Sequence, residues 1–417
     1  MTAAAWRVPG RIEVLGKHTD YAGGNVLVCA VDRGVTALAT PADGDAVVAS
    51  SSEFAEPIAL RAGVEVDLPA GHWARYLQTV IDRLTRNFGP LGGTTLTLAS
   101  DLPMASGMSS SSALVCASAL ALADRHGFRA TELWREAIGD DRLRMASYLA
   151  SVENGRSFGR LAGHAGVGTL GGSEDHTAML CATPGELGQF GFAPAALHRR
   201  VRWPEGWTFV VAVSGVAAEK TGAARERYNR ASLATAEALR RWNAATGRAD
   251  PSLATAVRSA PDAPARLARL VADDAYLAAR VEQFVAESER LVPAAAAALA
   301  AGDLDRFGSL SAESQHLAET RLGNQVPETA ALARDAVALG ARAASSFGAG
   351  FGGSVWAMVP GSDAAPFAEA WLARYRAAFP GSAAAASTLV TRPAGAASPV
   401  DPATAASGTR AEAGLPD

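Results

Sequence analysis

One stretch constrains this chain more than any other: Asp101-Leu-Pro-Met-Ala-Ser-Gly-Met-Ser-Ser-Ser-Ser-Ala-Leu114. It follows the alternating run Thr94–Ala99, which predicts a strand, and it opens the apolar run Ala113–Ala123, which predicts a helix. A strand that empties through Gly107 and a serine run into a helix leaves backbone N–H groups unpaired at the helix start. Those donors and the helix dipole favour an anion, with Gly107, Ser109, Ser110 and Ser111 as the candidate contacts. Small side chains let a phosphate approach the backbone, and serine hydroxyls can reach a bound cation. The pattern GxxxxGK[ST] is absent, so this is not the Walker type of phosphate loop. The alternative is a serine-capped core helix with no ligand.

Three further stretches concentrate polar chemistry. Val8–Gly24 mixes strand residues with glycines at 10, 16, 23 and 24, and packs Arg11, Glu13, Lys17, His18 and Asp20 into ten positions. Such a set suits a sugar, whose hydroxyls need paired donors and acceptors, or else it is a solvated hairpin. Gly166–Leu180 places Asp175 just after a glycine pair, at an expected helix start where Asp also serves as a cap. Ser345–Val359 carries Gly348, Gly350, Gly352 and Gly353, which calls for close backbone approach. Only two lysines occur, Lys17 and Lys220, against 38 Lys plus Arg in all. Both fall inside these motif regions, where a compact ammonium has a use that a guanidinium does not.

The 417 residues are 49% hydrophobic and 19% charged with a net charge of −4, which allows a large core and offers no basic stripe for nucleic acid. The longest apolar runs, such as Val292–Ala301, are too short to span a membrane. Met1–Arg7 lacks a signal-peptide apolar core, and Cys29, Cys116 and Cys181 read as buried thiols of a cytoplasmic protein. His72–Phe88 and Arg142–Val152 read as helices, as does most of the region from Tyr228 to Ala341. Ala193–Arg202 reads as a linker. Residues 394–417, rich in Ala, Pro, Gly and Ser without apolar periodicity, read as a disordered tail.

Taken together, these stretches resemble the GHMP small-molecule kinases, and among them the galactokinases. Val8–Gly24 is similar to the signature PGRxNxxGEHTDYxxG, the serine loop to PxGxGLSSSA, and Gly348–Gly353 to GAGxGG. Lys220–Asn229 follows KxxxxxxxYN, and Phe307–Ser314 is similar to FGxLMxES. The resemblance implies an α+β fold of two domains, with an S5-like ribosomal-protein fold over 1–200 and a ferredoxin-like fold over 201–393. ATP and a sugar would meet in the cleft between them. It implies transfer of phosphate to the C1 hydroxyl, with ATP and Mg²⁺ required. Asp175 would act on the hydroxyl proton and Arg11 would be its partner. Lys17, His18, Asp20, Gly172 and Tyr228 would line the sugar; Gly107, Ser109, Ser110, Ser111 and Gly350 would hold ATP; Ser111 and Glu153 would hold the metal. A soluble monomer or weak dimer is expected. The alternative within the resemblance is a sugar-sensing regulator with little turnover.

The chain departs from the pattern at three positions. Lys17 replaces the family Glu that receives the sugar's C6 hydroxyl, Glu13 replaces the family Asn, and Ala105 replaces a loop glycine. A lysine facing the sugar would favour an anion near C6, such as a carboxylate. The other reading is that Lys17 and Glu13 pair with each other.

Overall fold

The computed structural model describes residues 2–69, 71–103, 106–216 and 222–413, so Ala105 and Lys220 lie outside the described residues. The first sheet contains β1 (Ala4–Leu15), β2 (Asn25–Pro41), β3 (Val47–Ser51), β4 (Phe54–Leu60), β5 (Thr94–Ser100), β6 (Glu186–Phe192) and β7 (Ala195–Arg202). The second contains β8 (Trp207–Val213), β9 (Ala343–Phe347), β10 (Ser354–Pro360) and β11 (Ser387–Thr391). A last strand, β12 (Ser398–Val400), returns to the first sheet, whose order is β12-β1-β2-β5-β3-β4, with β6 on β2 and β7 beyond it.

Alternation along β1 decides what faces the site. Ile12 and Val14 enter the main core, while Arg11 and Glu13 point the other way. Pro9 cannot donate to the ladder, and the pairing with β2 slips between Pro9 and Arg11. Gly34 opposes it, where a side chain would strike the Val8 carbonyl at 2.2 Å. Behind the sheet runs the helix Ser110–Arg125. Its small residues Ala113, Ala117 and Ala121 are fully buried, so it lies close on β1 and β2.

The second sheet is antiparallel with order β11-β8-β10-β9. The first, second, third and fourth strands of a ferredoxin-like β-α-β-β-α-β unit stand in this 4-1-3-2 order. Both faces are buried. Phe209, Val211, Trp356 and Met358 join the main core, and the alternate residues Val210, Ala212, Val355 and Ala357 pack under Trp371 and Tyr375. Between β8 and β9 the described residues form seven α-helices, from Gly222–Thr246 to Pro327–Ala338, with a core of their own around Trp242, Val257, Leu267 and Phe284. Among the described residues, no helix is long and apolar enough to cross a membrane.

Three expectations are corrected. Residues 394–413 are folded, not a disordered tail. Ala394 N–H donates to Ala30 at 2.9 Å, β12 pairs with the outer edge of β1, and the helix Pro402–Ala413 lays Ala405 against Ala5 and Leu38. Backbone bonds and alanine contacts hold this segment, and neither leaves apolar periodicity in the sequence; it also covers an edge that would otherwise be open. Ala193–Arg202 is no linker: β7 forms a hairpin with β6, an edge strand whose exposed arginines hide the alternation. Cys29 and Cys116 are buried as expected, but Cys181 is only half-buried; all three are free.

Candidate active site

The serine loop, the first glycine-rich stretch and the second glycine loop converge on a cavity. Arg11, His18, Asp20, Glu153, Gly172, Asp175 and Tyr228 all line it. Glu13, from the same polar stretch, lines it as well, as do Ser112, Glu174 and His176; the sequence reading gave none of these last three a place in the site.

Arg11 and Asp175 form its centre. The Arg11 Nε and Nη2 groups each reach Asp175 Oδ1 at 2.6 Å, and Nη1 donates to the Gly107 carbonyl at 2.6 Å. Burial alone would lower the Arg11 pKa, but Asp175, Glu174 and Glu13 outweigh it and raise it, so the guanidinium stays charged. Ser109 donates its hydroxyl to Asp175 Oδ2 at 2.6 Å. Ser109 is the N-cap of the helix Ser110–Arg125 and sits in the left-handed region with φ 59°, yet its side chain makes no capping bond. The simple serine-capped helix is therefore not what this loop builds. The hydroxyl is committed to the acid, and the first-turn N–H groups gain no side-chain cap.

The loop at Gly16–Gly24 presents the other wall. Asp20 Oδ2 accepts from the Glu174 N–H at 3.1 Å, which ties this loop to the start of the helix Glu174–Cys181. Gly172 has to be glycine: a Cβ there would lie 2.4 Å from Asp20 Oδ2. The His18 ring bridges the Tyr21 hydroxyl and the Ala349 carbonyl, both at 3.0 Å, and lies 5.0 Å from the Tyr228 ring. Asn229, next to Tyr228, accepts from Leu170 N–H and donates to the Gly168 carbonyl, so the Tyr-Asn pair combines a wall residue with a loop tether.

The serine run divides its labour differently from the sequence reading. Ser112, not Ser111, lines the cavity and donates to Glu153 Oε2 at 2.8 Å. Residue 112 falls on the inner side of the first helical turn, a detail that four identical letters cannot reveal. His176 Nε2 lies 3.3 Å from the same carboxylate oxygen. At Gly107, with φ 76°, a Cβ would sit in ordinary contact, at 3.7 Å, with the backbone of Phe347, Gly353 and Ser354, so the left-handed backbone is what asks for glycine there. Gly350 does not: a Cβ there would strike the Asn324 carbonyl at 2.3 Å, so this glycine serves loop packing. Gly348 meets the Gly107 carbonyl, which sets the two loops back to back.

Family models match residues 2–41 (galactokinase galactose-binding signature), 75–156 (GHMP kinases N terminal domain) and 295–377 (GHMP kinases C terminal). The chain is 30% identical over 373 residues to the galactokinase of Chloroflexus aggregans, covering 88% of this chain and 87% of that one. It belongs to the galactokinase-like GHMP kinases. The galactokinase of Mycobacterium tuberculosis is 27% identical over 368 residues, 88% of this chain and 91% of that one. In fold, the chain matches Lactococcus lactis galactokinase complexed with galactose with a TM-score of 0.76, at 22% identity and 95% coverage of both. A mevalonate kinase matches more distantly, with a TM-score of 0.52 at 13% identity over 93% of this chain and 98% of that one. The chain is thus a sugar kinase, and its family uses ATP.

Within this galactokinase-like frame, Lys17 does not do what its position suggests. It is 1% exposed, is not part of the cavity wall, and donates its ammonium to Ser314 Oγ at 2.9 Å. Ser314 in turn donates to Glu287 Oε1 at 2.8 Å. Glu13, unlike Lys17, lines the cavity. Its burial raises its pKa to about 7, while Lys17 and Arg11 pull it down. Glu174 is also raised well above the ordinary range, first by burial and then by Glu13 and Asp20. The Lys17 ammonium thus bonds Ser314 and not Glu13, although its charge still pulls the Glu13 pKa down. The expectation of a lysine facing the sugar fails because the chain turns that side chain behind the wall.

Proposed function

We propose that this chain transfers the γ-phosphoryl group of ATP to the C1 hydroxyl of a neutral, galactose-like hexose. The observation that carries the reading is the Arg11–Asp175–Ser109 contact set, at 2.6 Å on each side of the carboxylate, next to a helix start that no side chain caps. Arg11 keeps Asp175 ionised, so that Asp175 can accept or orient the hydroxyl proton, while its buried charge faces the charge that grows on the phosphoryl group. Asp20 takes paired hydrogen bonds from ring hydroxyls, and His18 and Tyr228 supply the flat walls.

Charge argues for a metal and against an acidic sugar. Asp20, Glu153 and Asp175, with Glu13 and Glu174 that burial makes reluctant to ionise, line the cavity against the guanidinium of Arg11. A triphosphate enters such a site only with a cation. Ser112 and Glu153 put a hydroxyl and a carboxylate side by side, an oxygen donor set that fits Mg²⁺ bound largely through phosphates and water. Bound there, the ion would neutralise phosphate charge. A carboxylate on the sugar would meet the same repulsion without compensation, which speaks for a neutral sugar over a uronic acid. A sugar-sensing protein without turnover would need a broken catalytic pair, and the Arg11–Asp175 contact is intact.

The test is coupled ADP release over galactose, its epimers and galacturonate, with NMR assignment of the phosphorylated carbon. ADP release with galactose and a phosphate on C1 is expected. Release with galacturonate alone, or phosphate on C6, would overturn the reading.

A further inference from the structure

The wall loop Gly16–Gly24 is held from behind by one helical rod, and the sequence motifs single out none of the residues that hold it. The rod runs from Ala275–Val285 through a π-helical stretch, Ala286–Leu291, into Val292–Ala300. Arg280, Gln283, Glu287 and Ser288 all stand on it, each 0% exposed. Arg280 donates to the His18 carbonyl and, at 3.0 Å, to the Tyr21 hydroxyl. Gln283 donates to the Lys17 carbonyl at 3.0 Å. Glu287 Oε1 accepts from Gly16 N–H at 2.8 Å and from Lys17 N–H at 3.3 Å. Ser288 Oγ accepts from Asn25 N–H at 2.9 Å, and the Asn25 amide returns a bond to the Ser288 carbonyl at 2.9 Å.

At 3, 7 and 8 residues from Arg280, the other three fall on the same side of the rod, with Ser288 at its edge. At about 100° per residue, Ser288 would stand roughly 80° away from Arg280. The wider π turn between them brings it back, the kind of local irregularity that gathers at functional sites. The loop needs the grip. Gly16, His18 and Gly23 all have positive φ, at 119°, 59° and 82°, and His18 pays for that conformation without being glycine. None of the rod residues lines the cavity, nor do Gly16 and Lys17, while His18 and Asp20 do. Lys17 closes the arrangement, since its ammonium reaches Glu287 through Ser314.

We infer that the Arg280–Ser288 face of this rod positions the sugar-binding loop, so that these residues set affinity for the sugar without touching it. The inference rests on the reading of the cavity as a sugar site. Two variants of the full chain test it: Gln283→Ala, which frees the Lys17 carbonyl, and the milder Arg280→Lys, which keeps a cation but loses the fork. Steady-state kinetics should show the KM for the sugar raised about tenfold in each, with the KM for ATP within twofold. Amide hydrogen exchange, measured without any ligand, should quicken at residues 16–21 by at least about threefold while the serine-loop helix is unchanged. Equal rises in both KM values, or unchanged exchange at 16–21, would overturn the inference. If the wild type phosphorylates no sugar, the proposed function fails on that result, and the exchange measurement still decides whether the rod holds the loop.

Discussion

Glu13 is a carboxyl that folding makes reluctant to ionise, and the consequence can be measured. It is 3% exposed, and burial lifts it from 4.5 to about 7 even with Lys17 and Arg11 pulling the other way. Glu287, Asp175 and Glu174 also face it and add to the lift. An acid whose pKa is raised in the folded state holds its proton more tightly there than in the unfolded chain. Its contribution to stability is full below about 4.5 and is lost as pH climbs through 7. The lift corresponds to roughly 3 kcal/mol, of which about 2 to 3 kcal/mol falls between pH 5 and pH 8. Glu13→Gln keeps the shape of the side chain but cannot ionise. Urea unfolding followed by tryptophan fluorescence at pH 5, 6, 7 and 8 would give the stability of both proteins. Relative to wild type, the variant should gain about 2 to 3 kcal/mol from the lowest to the highest pH. Glu174 titrates in the same direction in both proteins, but the variant removes the part of its lift that Glu13 causes, which adds to the variant's gain as pH rises. A difference between the two proteins that stays constant across this range, or that moves in favour of wild type as pH rises, would refute the reasoning.

Asp175→Asn should lower kcat by roughly 10²- to 10⁴-fold while calorimetry shows sugar affinity within about threefold, because the shape remains and the proton acceptor is gone. Ser112→Ala should raise the Mg²⁺ concentration for half-maximal activity by about tenfold, and Ser111→Ala should not, as read from metal titrations of turnover. Truncation after Pro393 should lower the melting temperature by several degrees in calorimetry. It removes β12 from β1 and the Arg142 bond to the Ala397 carbonyl, at an expected cost of about 1 to 3 kcal/mol.

Local order made much of this protein legible in its amino-acid sequence. The serine loop between a strand and a helix, the polar crowding from Arg11 to Asp20, the glycines before Asp175 and the Tyr228–Asn229 pair are each written within a short window. A short window is what backbone propensity and motif spacing report. They therefore pointed to a GHMP kinase and to the residues that gather at its cavity. Tertiary structure decided which way those residues point and what stands behind them. Ser111 and Ser112 are the same letter, and only the start of the helix Ser110–Arg125 chooses the one that meets Glu153. Lys17 replaces an acidic residue, and only a partner 297 residues away, Ser314, turns it from the wall into the interior. The tail carries no pattern because its bonds come from the backbone edge of β1, a partner that forms only when the sheet does. Arg280, Gln283 and Glu287 read as ordinary polar helix residues. A loop more than 250 positions away makes them a grip on the site. Long-range pairing of buried polar groups leaves no local signature, because each partner satisfies only its own backbone until the fold brings the other within hydrogen-bonding distance.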